Sequence, residues 1–441
     1  MHSHVMHHTL DDWFSHIQHI HQKRMDLGLD RVGMVAERLQ LRQFSCPVIT
    51  VAGTNGKGSC TKTLESIYAQ AGFKTALYTS PHLMHFNERI RIANQTISDA
   101  DLLRAFEKIE SARVDTILSF FEFTTLAALW LFQQAACDVL ILEVGLGGRL
   151  DAVNIVENDV AVITSIALDH MEWLGEDRES IAYEKASIAR AGKPVISGEE
   201  NPPEQIAQTV AAKKGILYQI NHDFFYRVFE DHFYCAGKDF SYDCLPVPHL
   251  KPQNIATAIC VIEVLKNRLT VSQSDVATGI IKTEWAGRFE LCASPFPCIL
   301  DVAHNPHAAA WLAEQYARLP RVQNTIAIVG MLKDKAMIET ASQLIPYVNT
   351  WYVCSLLSEA VERGSNGLEI AHFLETQGIK NCYTFASVED AMYSLVQAHC
   401  QQECDRALIF GSFYTVAAAK SWLANKENTG ENQWKKKSNN V

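Results

Sequence analysis

Residues 47–59 read PVITVAGTNGKGS. Pro47–Val51 is a short apolar run rich in β-branched residues, the composition of a buried strand. Gly53, Gly56 and Gly58 follow, with Lys57 and Ser59 among them. From Cys60 the apolar positions Leu64, Ile67, Tyr68 and Ala71 fall on one helical face, and Gly72 predicts a stop. A strand, a glycine-rich turn and a helix start form a cradle for a nucleotide phosphate. Glycines allow close backbone approach, and the N–H groups and dipole of the helix start attract the anion. In that cradle Gly53, Asn55, Gly56, Lys57, Gly58 and Ser59 are the candidate ATP-binding residues. Lys57 reaches the outer phosphates as a point charge, and the Ser59 hydroxyl suits Mg²⁺. The spacing is G-x-x-G-K-G-S rather than the strict G-x-x-x-x-G-K-[ST], so a plain turn is the competing reading.

Working outward, three further strands end in polar groups. Lys74–Thr79 runs into Ser80-Pro81-His82-Leu83, where Ser80 is either turn chemistry or a ligand at the carboxyl end of a parallel strand. Asp138–Glu143 is a continuous apolar run ending in an acid, the arrangement that holds Mg²⁺ behind a phosphate loop; a solvated strand end is the alternative. Asp159–Ser165 leads to Asp169-His170, and an isolated histidine there is structural or a ligand. Between them lie Gly145, Gly147 and Gly148, then Arg149, Leu150, Asp151 and Ala152. Phe121–Gln134 reads as an apolar helix, with Phe121 and Glu122 at its start. A helix over Ile181–Ala191 places Lys185 on an apolar face. Its ammonium must snorkel outward or lose its charge. Asn254 opens another helix, as a cap or a base contact. The segment His85–Ile92 carries charge without a decisive motif.

Beyond Trp285-Ala286-Gly287-Arg288-Phe289-Glu290 the composition breaks at Ser294-Pro295-Phe296-Pro297. These signals predict an N-terminal domain over 1–291, a linker at 292–297 and a C-terminal domain over 298–425. Residues 426–441 read as a polar, disordered tail. The fold class is α/β: a P-loop parallel-sheet ATPase domain, then a smaller doubly wound, Rossmann-like domain of alternating strands and helices. Its first strand ends in Asp301-Val302-Ala303-His304-Asn305-Pro306, an acid, histidine and amide at a strand-to-helix turn.

Composition sets outer bounds. The 441 residues are 48% hydrophobic and 20% charged, ordinary for a globular chain of two or three domains. A net charge of −11 argues against nucleic acid as a partner, which needs a basic face. The twelve cysteines include no C-x-x-C pair and read as reduced thiols of a cytoplasmic protein. No apolar run reaches the ~20 residues of a membrane span. Histidines at 2, 4, 7 and 8 read as a frayed, weakly chelating end.

Taken in order, GTNGKGS, TSPHL, LDHxxxLG, GRFE and DxAHNP resemble the signatures of the folylpolyglutamate synthase/dihydrofolate synthase family within the Mur-ligase superfamily. The resemblance spans roughly residues 10–425. It implies an ATP-dependent ligase that phosphorylates the carboxylate of dihydropteroate or of a reduced folate's terminal glutamate, then lets the amino group of L-glutamate displace phosphate. It implies Lys57, His170 and Lys185 as catalytic residues, the last carbamylated. Ser59, Ser80, Glu143 and His170 would hold Mg²⁺, two ions in all. Asn254, Arg288, Asp301 and His304 would join the loop in binding ATP. Met25, Asp26, Leu27, Phe121, Glu122, Leu150, Asp151 and Ala152 would meet the pterin substrate. A monomer is expected. Another Mur-superfamily amino-acid ligase, a P-loop kinase and a nucleotide-dependent scaffold are the alternatives.

Overall fold

The computed structural model describes residues 9–21, 27–358, 361 and 363–428. Met25, Asp26, the histidines at 2, 4, 7 and 8 and the polar segment from 429 onward lie outside them. The chain divides into two compact units between Glu284 and Trp285.

Eleven strands belong to the first unit: β1 Val48–Ala52, β2 Thr75–Tyr78, β3 Ile90–Ile92, β4 Gln95–Thr96, β5 Val139–Glu143, β6 Val160–Ile163, β7 Pro194–Ser197, β8 Ile216–Gln219, β9 Phe224–Val228, β10 Phe233–Gly237 and β11 Phe240–Leu245. The first eight make one sheet in the order β4-β3-β2-β5-β1-β6-β7-β8, parallel from β2 to β8. All residues of β1, β5 and β6 are buried, as expected for strands covered on both faces. Alternation along β5 sends Leu140 and Leu142 into one core, with Phe106, Phe123 and Leu126. Val139 and Ile141 enter the opposite core, with Leu64, Ile67 and Ile259. The strands β9–β11 form a small antiparallel sheet beside the second core.

Two local departures have physical causes. The helix after the glycine loop spans Lys57–Gln70 and begins three residues earlier than its apolar face suggests. Gly56, at φ 86°, makes the sharp entry that lets Lys57 join the first turn. The Lys185 helix spans Arg178–Ala186, short of Ala191. There the Ser187 hydroxyl donates to the Tyr183 carbonyl, and Arg190 turns back to the carbonyls of Asn154 and Val156.

The second unit holds β12 Glu290–Cys292, β13 Cys298–Asp301, β14 Thr325–Val329, β15 Thr350–Cys354, β16 Cys382–Phe385 and β17 Arg406–Phe410. Their order is β12-β13-β17-β14-β15-β16, parallel except for the β12–β13 pair. This is the doubly wound sheet the alternating pattern predicts. The linker expected at 292–297 is corrected: it is the turn of the β12–β13 hairpin, because Glu290–Cys292 pairs with Cys298–Leu300. The tail expected at 426–441 is corrected at its start only, since the last helix runs from Phe413 through Asn428. None of the twelve cysteines forms a disulfide. Among the described residues no helix is long and apolar enough to cross a membrane.

Candidate active site

The order β2-β5-β1-β6 brings four strand ends side by side, at the edge where open α/β sheets bind ligands. The glycine loop after β1 is tied to the segment after β6. Thr54 N–H donates to the Ser165 carbonyl at 2.7 Å, and Asn55 N–H to the Ser165 hydroxyl at 3.1 Å. The hydroxyls of Thr164 and Ser165 return bonds to the Asn55 carbonyl at 2.7 and 3.0 Å. The Thr54 hydroxyl donates to the Ala167 carbonyl at 3.1 Å and accepts from the Ala167 N–H. A side chain at Gly53 would put its Cβ 1.9 Å from the Thr164 hydroxyl oxygen. Lys57 curls back over the loop, its Nζ donating to the carbonyls of Gly53 at 3.0 Å and Thr54 at 3.3 Å.

Asn254 arrives from far along the chain. Its amide lies against Gly56, where a Cβ would meet Oδ1 at 2.5 Å. Lys251 is the N-cap of the helix Pro252–Val264 and makes no side-chain cap bond, so the cap reading of Asn254 is corrected: its buried amide packs on the loop.

Glu143 ends β5 with its side chain buried, and the N–H of Ser80, beyond β2, stands 3.4 Å from Oε2. Glu88 holds the chain after Ser80 by accepting from the N–H groups of Leu83, Met84 and His85 at 2.8, 2.9 and 2.7 Å. Arg89 donates to Nδ1 of His82 at 2.9 Å. Burial and the Arg89 charge push the His82 imidazole down to about 4.

His170 sits at φ 51° ahead of the short helix Met171–Leu174, its Nε2 3.9 Å from the Asp169 carboxylate. Among the described residues no three His, Cys, Asp or Glu side chains gather to hold an ion. A buried carboxylate at a strand end, with Ser59 buried in the first turn of the loop helix, still fits Mg²⁺. That ion keeps waters and phosphate oxygens rather than requiring an all-protein cage.

The turn after β5 is built around Asp151. Its carboxylate accepts from the N–H groups of Leu146 at 2.8 Å and Val153 at 3.0 Å, and burial lifts it to about 6. Ala152 is buried beside it, and Leu150 is half-buried. Phe121 packs against Gly145, where a Cβ would meet its ring at 2.5 Å, and lies 6.0 Å from the Tyr78 ring. Glu122 is buried. Its carboxylate closes a capping box with Ser119 N–H at 2.7 Å and pairs with Arg31 at 3.2 Å, so it shapes the helix start. Leu27 is half-buried. Lys185 is buried; desolvation, then the Lys57 charge, lower its ammonium to about 7, with Asp169 and Asp151 opposing.

In the second unit, Asp301 ends β13 and accepts from the N–H groups of Phe289 and Ala303, both at 2.8 Å. Burial raises its carboxyl above the usual range, with Arg288 opposing. Arg288 lies 5.1 Å over the Phe413 ring, and His304 is 6.2 Å from that ring. His304 Nδ1 bonds the Val302 carbonyl at 2.8 Å, and Asn305 caps the next helix through Ala308 N–H. Thr54, Ser165 and Arg89 escaped the sequence reading. The first two stand in or beside motifs, but their bonds join segments far apart in the chain.

Residues 51–223 match the Mur ligase middle domain, and residues 287–413 match the Mur ligase glutamate ligase domain. The dihydrofolate synthase/folylpolyglutamate synthase of Escherichia coli (strain K12) is 43% identical over 408 residues, 92% of this chain and 94% of that protein. The structure of E. coli FolC in complex with DHPP and ADP aligns with a TM-score of 0.89 at 41% identity, over 95% of this chain and 98% of that one. A bifunctional folylpolyglutamate synthase/dihydrofolate synthase with Mn, AMPPNP and L-glutamate bound aligns with a TM-score of 0.86 at 40% identity, over 94% and 98%. Motif order, fold and these likenesses agree, and the chain belongs to the dihydrofolate synthase/folylpolyglutamate synthase family of Mur ligases.

Proposed function

We propose that the chain joins L-glutamate to dihydropteroate and to the terminal glutamate of reduced folates at the expense of ATP, by way of an acyl phosphate. The observation that carries this is the glycine loop, braced on the segment after β6 with Lys57 across it, one strand away from the buried Glu143. Family membership supplies the acceptor chemistry.

Gly53, Asn55, Gly56, Gly58 and Asn254 bind the nucleotide in the first unit, and the second unit carries its own candidates for nucleotide binding, Arg288, Asp301 and His304. Lys57 offsets charge that spreads over the phosphoryl oxygens as the substrate carboxylate attacks, and Arg288 in the second unit has the forked donors that suit a phosphate oxygen. Ser59, Ser80, Glu143 and His170 are the residues that would hold Mg²⁺, two ions in this reading, which when bound neutralises phosphate charge. Leu27, Phe121, Leu150, Asp151 and Ala152 line or shape the pterin side, joined by Met25 and Asp26 from outside the described residues. The amine of glutamate then attacks the acyl carbon, and phosphate leaves.

Lys185, buried and with its ammonium lowered to about 7, has a sizeable neutral fraction at that pH and forms a carbamate in this reading: its nitrogen bonds CO₂ and releases a proton, leaving a fixed anion. Intact-protein mass and a density map test that; a plain amine in both removes it. The cytoplasm is the proposed compartment, supported by twelve cysteines that form no disulfide.

The decisive assay is phosphate release from ATP with glutamate present, comparing dihydropteroate, tetrahydrofolate and no acceptor. Release that depends on a pterin acid, with labelled glutamate in the product, is expected. Release indifferent to the acceptor, with no glutamyl product, defeats the reading.

A further inference from the structure

The segment His85–Ile92, charged but without assignment in the sequence, acquires a purpose from its contacts. Residues Phe86–Arg89 form one 3-10 turn. From that turn, Glu88 fixes the backbone of residues 83–85 through three N–H groups, and Arg89 fixes a side chain. The Arg89 Nε–H donates to His82 Nδ1 at 2.9 Å, while its guanidinium lies 5.1 Å over the Phe86 ring. A guanidinium has donors only, so Nδ1 must present its lone pair, and the proton of the neutral ring sits on Nε2. Protonating Nδ1 would set donor against donor. The ring also stands edge-on to Phe86 at 5.7 Å, which limits its rotation.

His82 is half-buried, and among the described residues its ring hydrogen-bonds Arg89 alone, through Nδ1. A donor of fixed direction is thus left open two residues beyond Ser80, whose N–H faces Glu143 at the strand edge. We propose that His82 binds substrate by donating its Nε2–H to the carboxylate end of the pterin acid, with Arg89 as the positioning residue that sets the tautomer. A neutral imidazole suits this task. It orients an anionic oxygen without handing over a proton, so the carboxylate keeps the lone pair it needs to attack phosphorus. The identity of the substrate rests on the ligase reading above.

The test has two independent arms on the full chain. Nitrogen-15 spectra of the imidazole side chains in the unaltered protein should show a pyrrole-type Nε2 and a pyridine-type Nδ1 for His82, and Arg89→Met should give a mixture of tautomers. In kinetics, His82→Phe should lower kcat/KM for the pterin acid by about 10- to 100-fold, the worth of a hydrogen bond to a charged group, with KM for ATP unchanged. His82→Gln, which restores an N–H, should recover part of the loss, and Arg89→Met should fall between. A proton on Nδ1 in the unaltered protein overturns the proposal, as does His82→Phe with an undiminished kcat/KM for the pterin acid. If the unaltered protein joins glutamate to neither pterin acid, the ligase reading falls and takes the substrate with it, while the tautomer stands or fails by its own spectrum.

Discussion

The two units each end a buried strand in a polar turn, and they hold those turns in opposite ways. In the second unit the support comes from nearby in the chain. Asp301 accepts from Ala303 and from Phe289 twelve positions back, His304 bonds Val302, and Asn305 caps the helix through Ala308. In the first unit the glycine loop leans on residues more than a hundred positions away, Ser165 and Ala167, and on Asn254 farther still. A locally closed turn tolerates change elsewhere. A loop shaped by distant partners transmits their disturbance directly to the phosphate site.

The largest effect is expected where that loop meets chemistry. Lys57→Ala should reduce glutamate ligation by on the order of 10²–10³-fold, as loss of one charge-stabilising group typically does, while the thermal midpoint stays close to that of the unaltered protein. A matching fall in stability would mean that Lys57 is chiefly a brace. Gly53→Ala should come next. Its Cβ would fall 1.9 Å from the Thr164 hydroxyl oxygen, an overpacking worth about 1–3 kcal/mol in denaturant unfolding. Thr164→Ser in the same chain should couple to it, whereas a change at Asn305 should simply add.

Lys185 contributes a pH dependence of predictable sign. Its ammonium titrates near 7 in the folded chain against 10.5 as the unperturbed value, so between those limits the unfolded chain binds the extra proton. Stability from this group therefore rises with pH across that window, by up to about 1.4 kcal/mol per unit, and is flat below it. Lys185→Met, compared in CO₂-free buffer, should remove that slope; an unchanged slope assigns it elsewhere. Smallest should be Asn305→Ala, a local cap worth about 1 kcal/mol, leaving the first unit's nucleotide affinity untouched. Loss of that affinity would erase the contrast between the two turns.

Strand and helix order was legible because burial imposes its period on the residues. The apolar runs at 47–51 and 138–143 need no partner to be recognised. Lys57, Glu143 and Asp301 were legible for the same reason, each standing where a run of one period stops. Glu122 and Asn254 make contacts that the sequence alone does not disclose. A carboxylate at a helix start looks alike whether it meets substrate or closes a capping box, and an amide near a helix start looks like a cap until the distant loop is placed against it.

By itself the chain determined its α/β alternation, its phosphate loop, its ordered family signatures and the strand ends that carry them, since these follow from spacing between near neighbours. Only the tertiary structure decided that Ser165 braces the loop, that Arg89 selects the His82 tautomer and that residues 292–297 turn a hairpin rather than link two domains. Each of those depends on hydrogen bonds between segments whose separation in space the order of residues does not record.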